Sequence, residues 1–231
     1  MQRRINSEWN PKKIPLFSPI QTEQLACVAW LDNAHPFPEQ LRKESLAYSY
    51  QTEGNSPIRK AMIEEVEPSR VFLESCLGVP IRSLEARFQY LPRCDENRVF
   101  CIHCDPKQWS AVLYLNEEHE NFDGTGFFKH RFTGMSRTPS PAESIMLSKV
   151  LQLPLAEVVE RSGKERLALD CWEPQLIVPW KFNRLVVFPG YLYHRPCSTW
   201  GEGLEDGRLA QVFNFDTDEA PLFMRDSSLD C

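Results

Sequence analysis

With 231 residues, 42% of them apolar and 11% aromatic, the chain is long enough to bury a core without cross-links and too rich in large apolar groups to be disordered. Its formal net charge of −6, with no long Lys/Arg run, argues against a nucleic-acid partner. No apolar stretch approaches membrane-spanning length, and the start Met1-Gln2-Arg3-Arg4-Ile5-Asn6 lacks the apolar centre of a secretory leader. The eight cysteines are irregularly spaced and read as the reduced thiols of a cytoplasmic protein.

Residues 1–24 are polar and broken by proline, and read as an extended arm. Cys27-Val28-Ala29-Trp30-Leu31 reads as a short buried strand, turned by Asp32-Asn33. Residues 38–48 carry a proline in the first turn, an early Glu39 and apolar residues at helical spacing, which predicts a helix. After a loop at 53–57, further helices are expected over about 58–66 and 68–77, the second opened by Pro68 and stopped by Gly78. From about Ile81 the pattern changes to period two. Strands are expected at 87–91, 99–105 and 109–116, separated by turn residues. A loop at 121–126 leads to a fourth strand at 127–132. Residues 134–175 interrupt the β region with two helical stretches, 142–151 and 155–161, and read as an insertion that covers a site mouth. Strands at 184–188 and 191–194 flank the turn Pro189-Gly190, and a glycine-bearing loop leads to a last strand at 208–215 and a tail. Helices followed by about eight short strands predict an α+β chain, with the helices packed on a β-sandwich or barrel, in a single domain spanning 1–231.

The chemistry centres on Val99-Phe100-Cys101-Ile102-His103-Cys104-Asp105. On a strand, i and i+2 share a face, so His103 and Asp105 point the same way, roughly 6–7 Å apart at their Cα atoms. That is close enough to converge on one ion, while Phe100, Ile102 and Cys104 form a buried back face. A histidine from a distant strand completes a set of two imidazoles and one carboxylate, which leaves open positions on one side of an octahedral iron. His194, at the end of an aromatic strand, is the best candidate. His35 lies beside Pro36 in a loop, His119 sits among glutamates, and His130 lacks a carboxylate two residues away. Cys101 and Cys104 form a C-x-x-C, but residues three apart on a strand diverge, and no second such pair exists to complete a zinc site.

In this setting the sequence resembles the Fe(II)/2-oxoglutarate-dependent dioxygenases, on the prolyl-hydroxylase-like branch. Val28-Ala29-Trp30-Leu31-Asp32-Asn33-Ala34 looks like that branch's opening, and His103-Cys104-Asp105 like the family's His-X-Asp. Ser110-Ala111-Val112-Leu113-Tyr114-Leu115-Asn116 and Gly124-Thr125-Gly126-Phe127-Phe128 look like its next strand and a glycine-rich turn. Val187-Phe188-Pro189-Gly190 followed by His194 looks like the distal histidine strand, and Arg208 like the basic residue that pairs with the far carboxylate of the cosubstrate. The resemblance implies a double-stranded β-helix, or jelly-roll, supported by helices. It implies Fe(II) held by His103, Asp105 and His194, with 2-oxoglutarate and O2 as cosubstrates. It also implies that Arg208 forms a bidentate pair with the 5-carboxylate, that Tyr114 hydrogen-bonds the same carboxylate, and that Tyr90 lines the pocket. Arg195, adjacent to His194, is expected to point away. The expected reaction is hydroxylation of an amino acid, a peptidyl residue or another small molecule. The aspartate at 105, in place of a small residue, argues against halogenation. Two rival readings are a catalytically silent jelly-roll binding module and a cupin-like metalloenzyme that uses no 2-oxoglutarate. Trp109, Lys129, Arg131 and Trp172 are further candidates for a pocket wall, although a core edge or a solvated charge accounts for each equally.

Overall fold

The computed structural model describes residues 18–19, 27–52, 57–94, 101–116 and 122–221. Period-two apolar patterning dominates these residues and yields two antiparallel sheets. The larger has eight strands in the order β1 (Ser18–Pro19), β2 (Ala29–Leu31), β9 (Leu185–Pro189), β6 (Trp109–Tyr114), β11 (Arg208–Thr217), β5 (Ile81–Leu91), β4 (Arg59–Met62) and β3 (Gln51–Thr52). The smaller has three, in the order β10 (His194–Pro196), β7 (Asp123–His130) and β8 (Trp172–Pro179). Four helices accompany them among the described residues: α1 (Pro38–Ser45), α2 (Glu67–Leu77), α3 (Pro141–Leu151) and α4 (Leu155–Lys164). This is the α+β jelly-roll arrangement with supporting helices.

Strand alternation divides the large sheet into two faces. Phe88, Ala111, Leu113, Leu185, Val187, Leu209, Phe213 and Phe215 point outward and bury against α2, whose Phe72, Leu73, Cys76 and Leu77 recur at helical spacing. Phe72 meets Phe213 at 6.3 Å between ring centroids. The inner face turns to the small sheet, and Phe188 of β9 meets Phe127 of β7 edge-on at 5.0 Å. Helix α2 stops where the sequence suggests: Gly78 takes the left-handed conformation, φ 69°, that closes a helix C-terminus. In α3, Ser140 and Glu143 form a reciprocal capping box, and both Glu143 carboxylate oxygens also accept from Arg137, at 2.8 and 2.6 Å.

Several expectations change. Of the residues expected to be helical from 58 to 66, Arg59–Met62 form strand β4 instead, because Lys60 and Ala61 pair with Gln89 and Phe88 of β5; tertiary pairing overrides local propensity here. Segment 124–126 is not a loop but lies within β7, which starts at Asp123, so a Gly-Thr-Gly run is accommodated inside a sheet. The helical insertion ends before 172, where β8 begins. His194 opens β10 rather than ending a strand at 191–194. The polar arm lies outside the described residues apart from Ser18 and Pro19, as do most of the 53–57 loop, Val99, Phe100, His119, Cys231 and the end of the tail.

Candidate metal centre and cationic cleft

Residues 101–105 do not form a strand; they contribute an isolated bridge instead. His103 N–H donates to the His194 carbonyl at 3.0 Å and His194 N–H donates to the His103 carbonyl at 2.9 Å. Two residues on, Asp105 N–H donates to the Gly190 carbonyl at 2.7 Å. The segment is therefore extended and docked, and the expected sharing of one side by His103 and Asp105 arises from these bonds rather than from a full ladder. Gly190 is required by this approach: a Cβ there would overlap the Lys107 carbonyl and sit 3.3 Å from Asp105 Cβ.

One donor atom from each of His103, Asp105 and His194 lies within 4.8 Å of the others. His194 Nε2 is 3.3 Å from Asp105 Oδ2, and His103 Nε2 is 3.9 Å from Oδ1. His103 Nδ1 lies 3.0 Å from the Cys101 carbonyl and His194 Nδ1 lies 2.8 Å from the Leu192 carbonyl. A carbonyl only accepts, so in each ring Nδ1 carries the proton and the lone pair sits on Nε2, aimed at the cluster. Ser110 donates to Asp105 Oδ2 at 2.5 Å, and Asn214 Nδ2 donates to the Ser110 hydroxyl at 3.0 Å. Burial alone would raise the Asp105 carboxyl; the Ser110 hydroxyl that donates to it favours the anion. The side chains of His194 and Asp105 are 7% and 13% exposed, whereas that of His103 is 41% exposed, so the cluster opens to solvent on the His103 side. Two neutral imidazoles and an ionised carboxylate on one side fit a divalent iron with positions left open for ligands.

The cluster forms one end of a cleft walled by the inner face of the large sheet. Register sets the lining: Arg208 lies opposite Leu91, Ala210 opposite Gln89 and Val212 opposite Arg87. Arg208 is buried in this wall, with its Nη2 donating to the Gly124 carbonyl at 2.9 Å and its guanidinium carbon 5.2 Å from the Trp180 ring. Tyr114 lies behind the wall. Its ring stacks on Trp180 at 4.0 Å, and its hydroxyl lies 2.9 Å from the Thr125 Oγ1 that lines the cleft. At this point of the wall it is Thr125, not Tyr114, that lines the cleft.

Tyr90 does not reach the cleft. Alternation along β5 turns Arg87, Gln89 and Leu91 inward and Tyr90 outward, edge-on to Tyr50 at 5.1 Å. Arg195, expected to turn away, borders the cleft too, with its guanidinium 5.7 Å from the Phe128 ring. Trp109 and Trp172 pack into the core and Arg131 Nε donates to the Trp172 carbonyl, so none of them joins the wall. His130 finds a carboxylate across space: its Nε2 lies 2.7 Å from Glu165 Oε2, a contact that ties β7 to the end of the helical insertion. Sequence reasoning missed Lys60, Arg87, Gln89, Thr125, Ser110 and Asn214. The alternation of 87–91 held the signal for the first group, since Phe88 and Tyr90 share the apolar side.

The fold is that of 2-oxoglutarate/Fe(II) oxygenases. HygX from Streptomyces hygroscopicus, solved with nickel and 2-oxoglutarate bound, superposes with a TM-score of 0.51 at 15% identity over 88% of each chain. The same protein with hygromycin B also bound gives 0.50 at 15% identity, again over 88% of each chain. A prolyl-4-hydroxylase from Pseudomonas putida gives 0.44 at 14% identity over 84% of this chain and 94% of that one. No curated protein sequence matches the chain. Residues 18–210 match the profile described as a family of unknown function, DUF6445, and the chain belongs to that family.

Proposed function

We propose that this chain is a single-domain Fe(II)- and 2-oxoglutarate-dependent oxygenase that hydroxylates an amino acid, a peptidyl residue or another small molecule. The observation that carries the reading is the convergence of His103 Nε2, His194 Nε2 and the Asp105 carboxylate at the end of a cleft whose wall holds Arg208. His103, Asp105 and His194 would hold Fe(II), and Arg208 would take the far carboxylate of 2-oxoglutarate through a charge-assisted pair. When bound, iron, 2-oxoglutarate and O2 supply the oxidising power to hydroxylate a C–H bond.

The chain's own residues do the rest. Main-chain carbonyls fix both imidazoles with Nε2 unprotonated, and Ser110 steadies Asp105 as an anion. Tyr114 acts through Thr125 and positions the wall without touching the ligand. Phe188, edge-on to His194 at 4.7 Å, keeps water from the buried side of the cluster. A cytoplasmic location fits the cysteines, since none of those described forms a disulfide. Among the described residues no helix is long and apolar enough to cross a membrane.

Anaerobic addition of Fe(II) and 2-oxoglutarate tests the reading. A weak visible charge-transfer band should develop that needs both components, and His103→Ala should abolish it. Absence of the band, or a band that survives His103→Ala, overturns the proposal.

A further inference from the structure

The two imidazoles of the cluster are held from behind by the end of the helical insertion. His103 follows Ile102 and His194 follows Tyr193, and these two predecessors are buried with Phe128 and Trp172 in one apolar cluster. Both also bond to the insertion. Ile102 N–H donates to the Arg166 carbonyl, just past α4, at 2.9 Å, and the Tyr193 hydroxyl donates to Ser162 Oγ of α4 at 3.0 Å. One helix end therefore holds the residue before each imidazole, on two segments far apart in sequence. The 101–105 segment has no full ladder to fix its position against His194, so individual bonds carry that task.

Glu165 lies between those two holds and is fixed through both carboxylate oxygens. Oε1 accepts from Arg161 Nε at 2.8 Å, and Oε2 lies 2.7 Å from Nε2 of the fully buried His130. His130 Nδ1 lies 3.2 Å from the Thr133 hydroxyl. Thr133 Oγ1 already accepts from Met135 N–H, so its own hydrogen goes to His130 Nδ1, and Nε2 carries the proton that Glu165 accepts. The Glu165 carbonyl also accepts from Trp172 Nε1 at 3.0 Å, and the Trp172 ring packs against both His130 and Tyr193, with centroids 4.6 and 4.8 Å away. Strand β7, which ends at His130, pairs Phe127 with His194. Glu165 is thus bound to the strand beside His194 and, through the carbonyl of the next residue, to the segment that carries His103.

We propose that Glu165 and Ser162 are positioning residues of the metal centre. By holding the end of α4 against Ile102, Tyr193 and His130, they set the separation of the two imidazoles without touching the metal or a substrate. The inference rests on the metal-binding part of the oxygenase reading. Partners behind a ligand fix its direction, and their loss weakens metal binding by roughly 10- to 100-fold.

Anaerobic Co(II) titration of the full chain, without 2-oxoglutarate, tests it, because the visible bands of bound Co(II) report ligand geometry as well as affinity. Glu165→Ala should weaken Co(II) binding about tenfold and alter the band pattern. Glu165→Gln keeps an oxygen that can accept from His130 and should restore affinity to within about threefold of the wild type. Ser162→Ala removes one acceptor at a partly exposed helix position and should weaken binding by about threefold, with a spectral change in the same direction. Unchanged affinity and spectrum in both alanine variants would overturn the proposal. So would a Glu165→Gln variant as impaired as Glu165→Ala, or a loss of affinity with an unchanged spectrum, since the imidazole separation would then be intact. Should Glu165→Ala not fold, Ser162→Ala decides. If the wild type binds no Co(II), the metal-centre reading falls instead, and amide exchange on the metal-free chain decides the positioning role. Glu165→Ala should then speed exchange of the His103 and His194 N–H groups, which bond each other's carbonyls, while the amides shared by β5 and β11 stay protected. Equal protection of those two groups in wild type and variant would overturn it.

Discussion

The two faces of the eight-stranded sheet are built from the same strands and do opposite work. Outward residues such as Leu113, Phe213 and Phe215 are fully buried in an apolar layer under α2. Inward residues one step along the same strands are Ser110, Asn214 and Arg208, polar groups held by specific partners. The outer face depends on apolar volume, whereas the inner face also depends on polar groups held by specific partners. Stability and ligand binding should therefore separate cleanly by residue parity.

The largest effect should come from the outer face. Phe213→Ala removes a fully buried ring and should destabilise the fold by about 3–5 kcal/mol, read from chemical unfolding, while metal affinity per folded molecule stays the same. A parallel fall in metal affinity would mean that the two faces are coupled. His194→Ala on the inner side should do the opposite: metal affinity falls at least about 100-fold, close to 3 kcal/mol, with an unfolding midpoint near that of the wild type in the metal-free state. Gly190→Ala sits where the two demands meet. Its methyl group would overlap the Lys107 carbonyl and press on Asp105, so it should cost about 1–3 kcal/mol and weaken the metal site together; loss of only one of the two would sharpen which face the turn serves.

Ser110→Ala should lower metal affinity by about tenfold with little change in unfolding, because it frees the carboxylate to swing without opening a cavity. No change would show that Asp105 is held by Gly190 and His194 alone. The smallest effect should come from Asp216, on β11 at the sheet rim. Hydrogen bonds from Ser83 and from the Gln108 N–H, with Lys107 beside it, pull its carboxyl down to about 2. A folded value below the unfolded one means stability that is full above about pH 4 and lost as pH falls toward 2. Solvent screening keeps it under about 1 kcal/mol. Comparing wild type with Asp216→Asn at pH 5 and pH 2.5 should show the gap between them closing in acid; a constant gap would assign the contribution to packing.

Periodicity made most of the sheet legible, because an edge or core strand such as 87–91 or 208–215 advertises its faces in alternating residues. The same rule misled at 58–66, where β4 is short and polar and owes its state to β5. It also failed at 124–126, where glycines permit the close approach of Tyr114 and Val178 inside β7. The grouping of His103, Asp105 and His194 was legible, the first two from their spacing and the third from its setting, although the strand supposed to align the first two is a pair of docking bonds. In the cationic wall Arg208 was named from its place on the strand after His194, but Lys60 and Arg87 were not legible, because they meet it only through register. Tyr90 shows the limit of composition: an aromatic beside a site in sequence belongs to it only when its parity agrees.

The two imidazoles take their orientation from carbonyls two residues upstream, at Cys101 and Leu192. Those acceptors are main chain, so no side-chain substitution at 101 or 192 can delete them. The protonation pattern of the donor pair is thus inherited with the backbone path rather than with neighbouring residue identities. Positions 101 and 192 can therefore vary without losing that orientation, whereas side-chain identity matters at the three donors, at the Gly190 turn and at the Ser110 that holds Asp105.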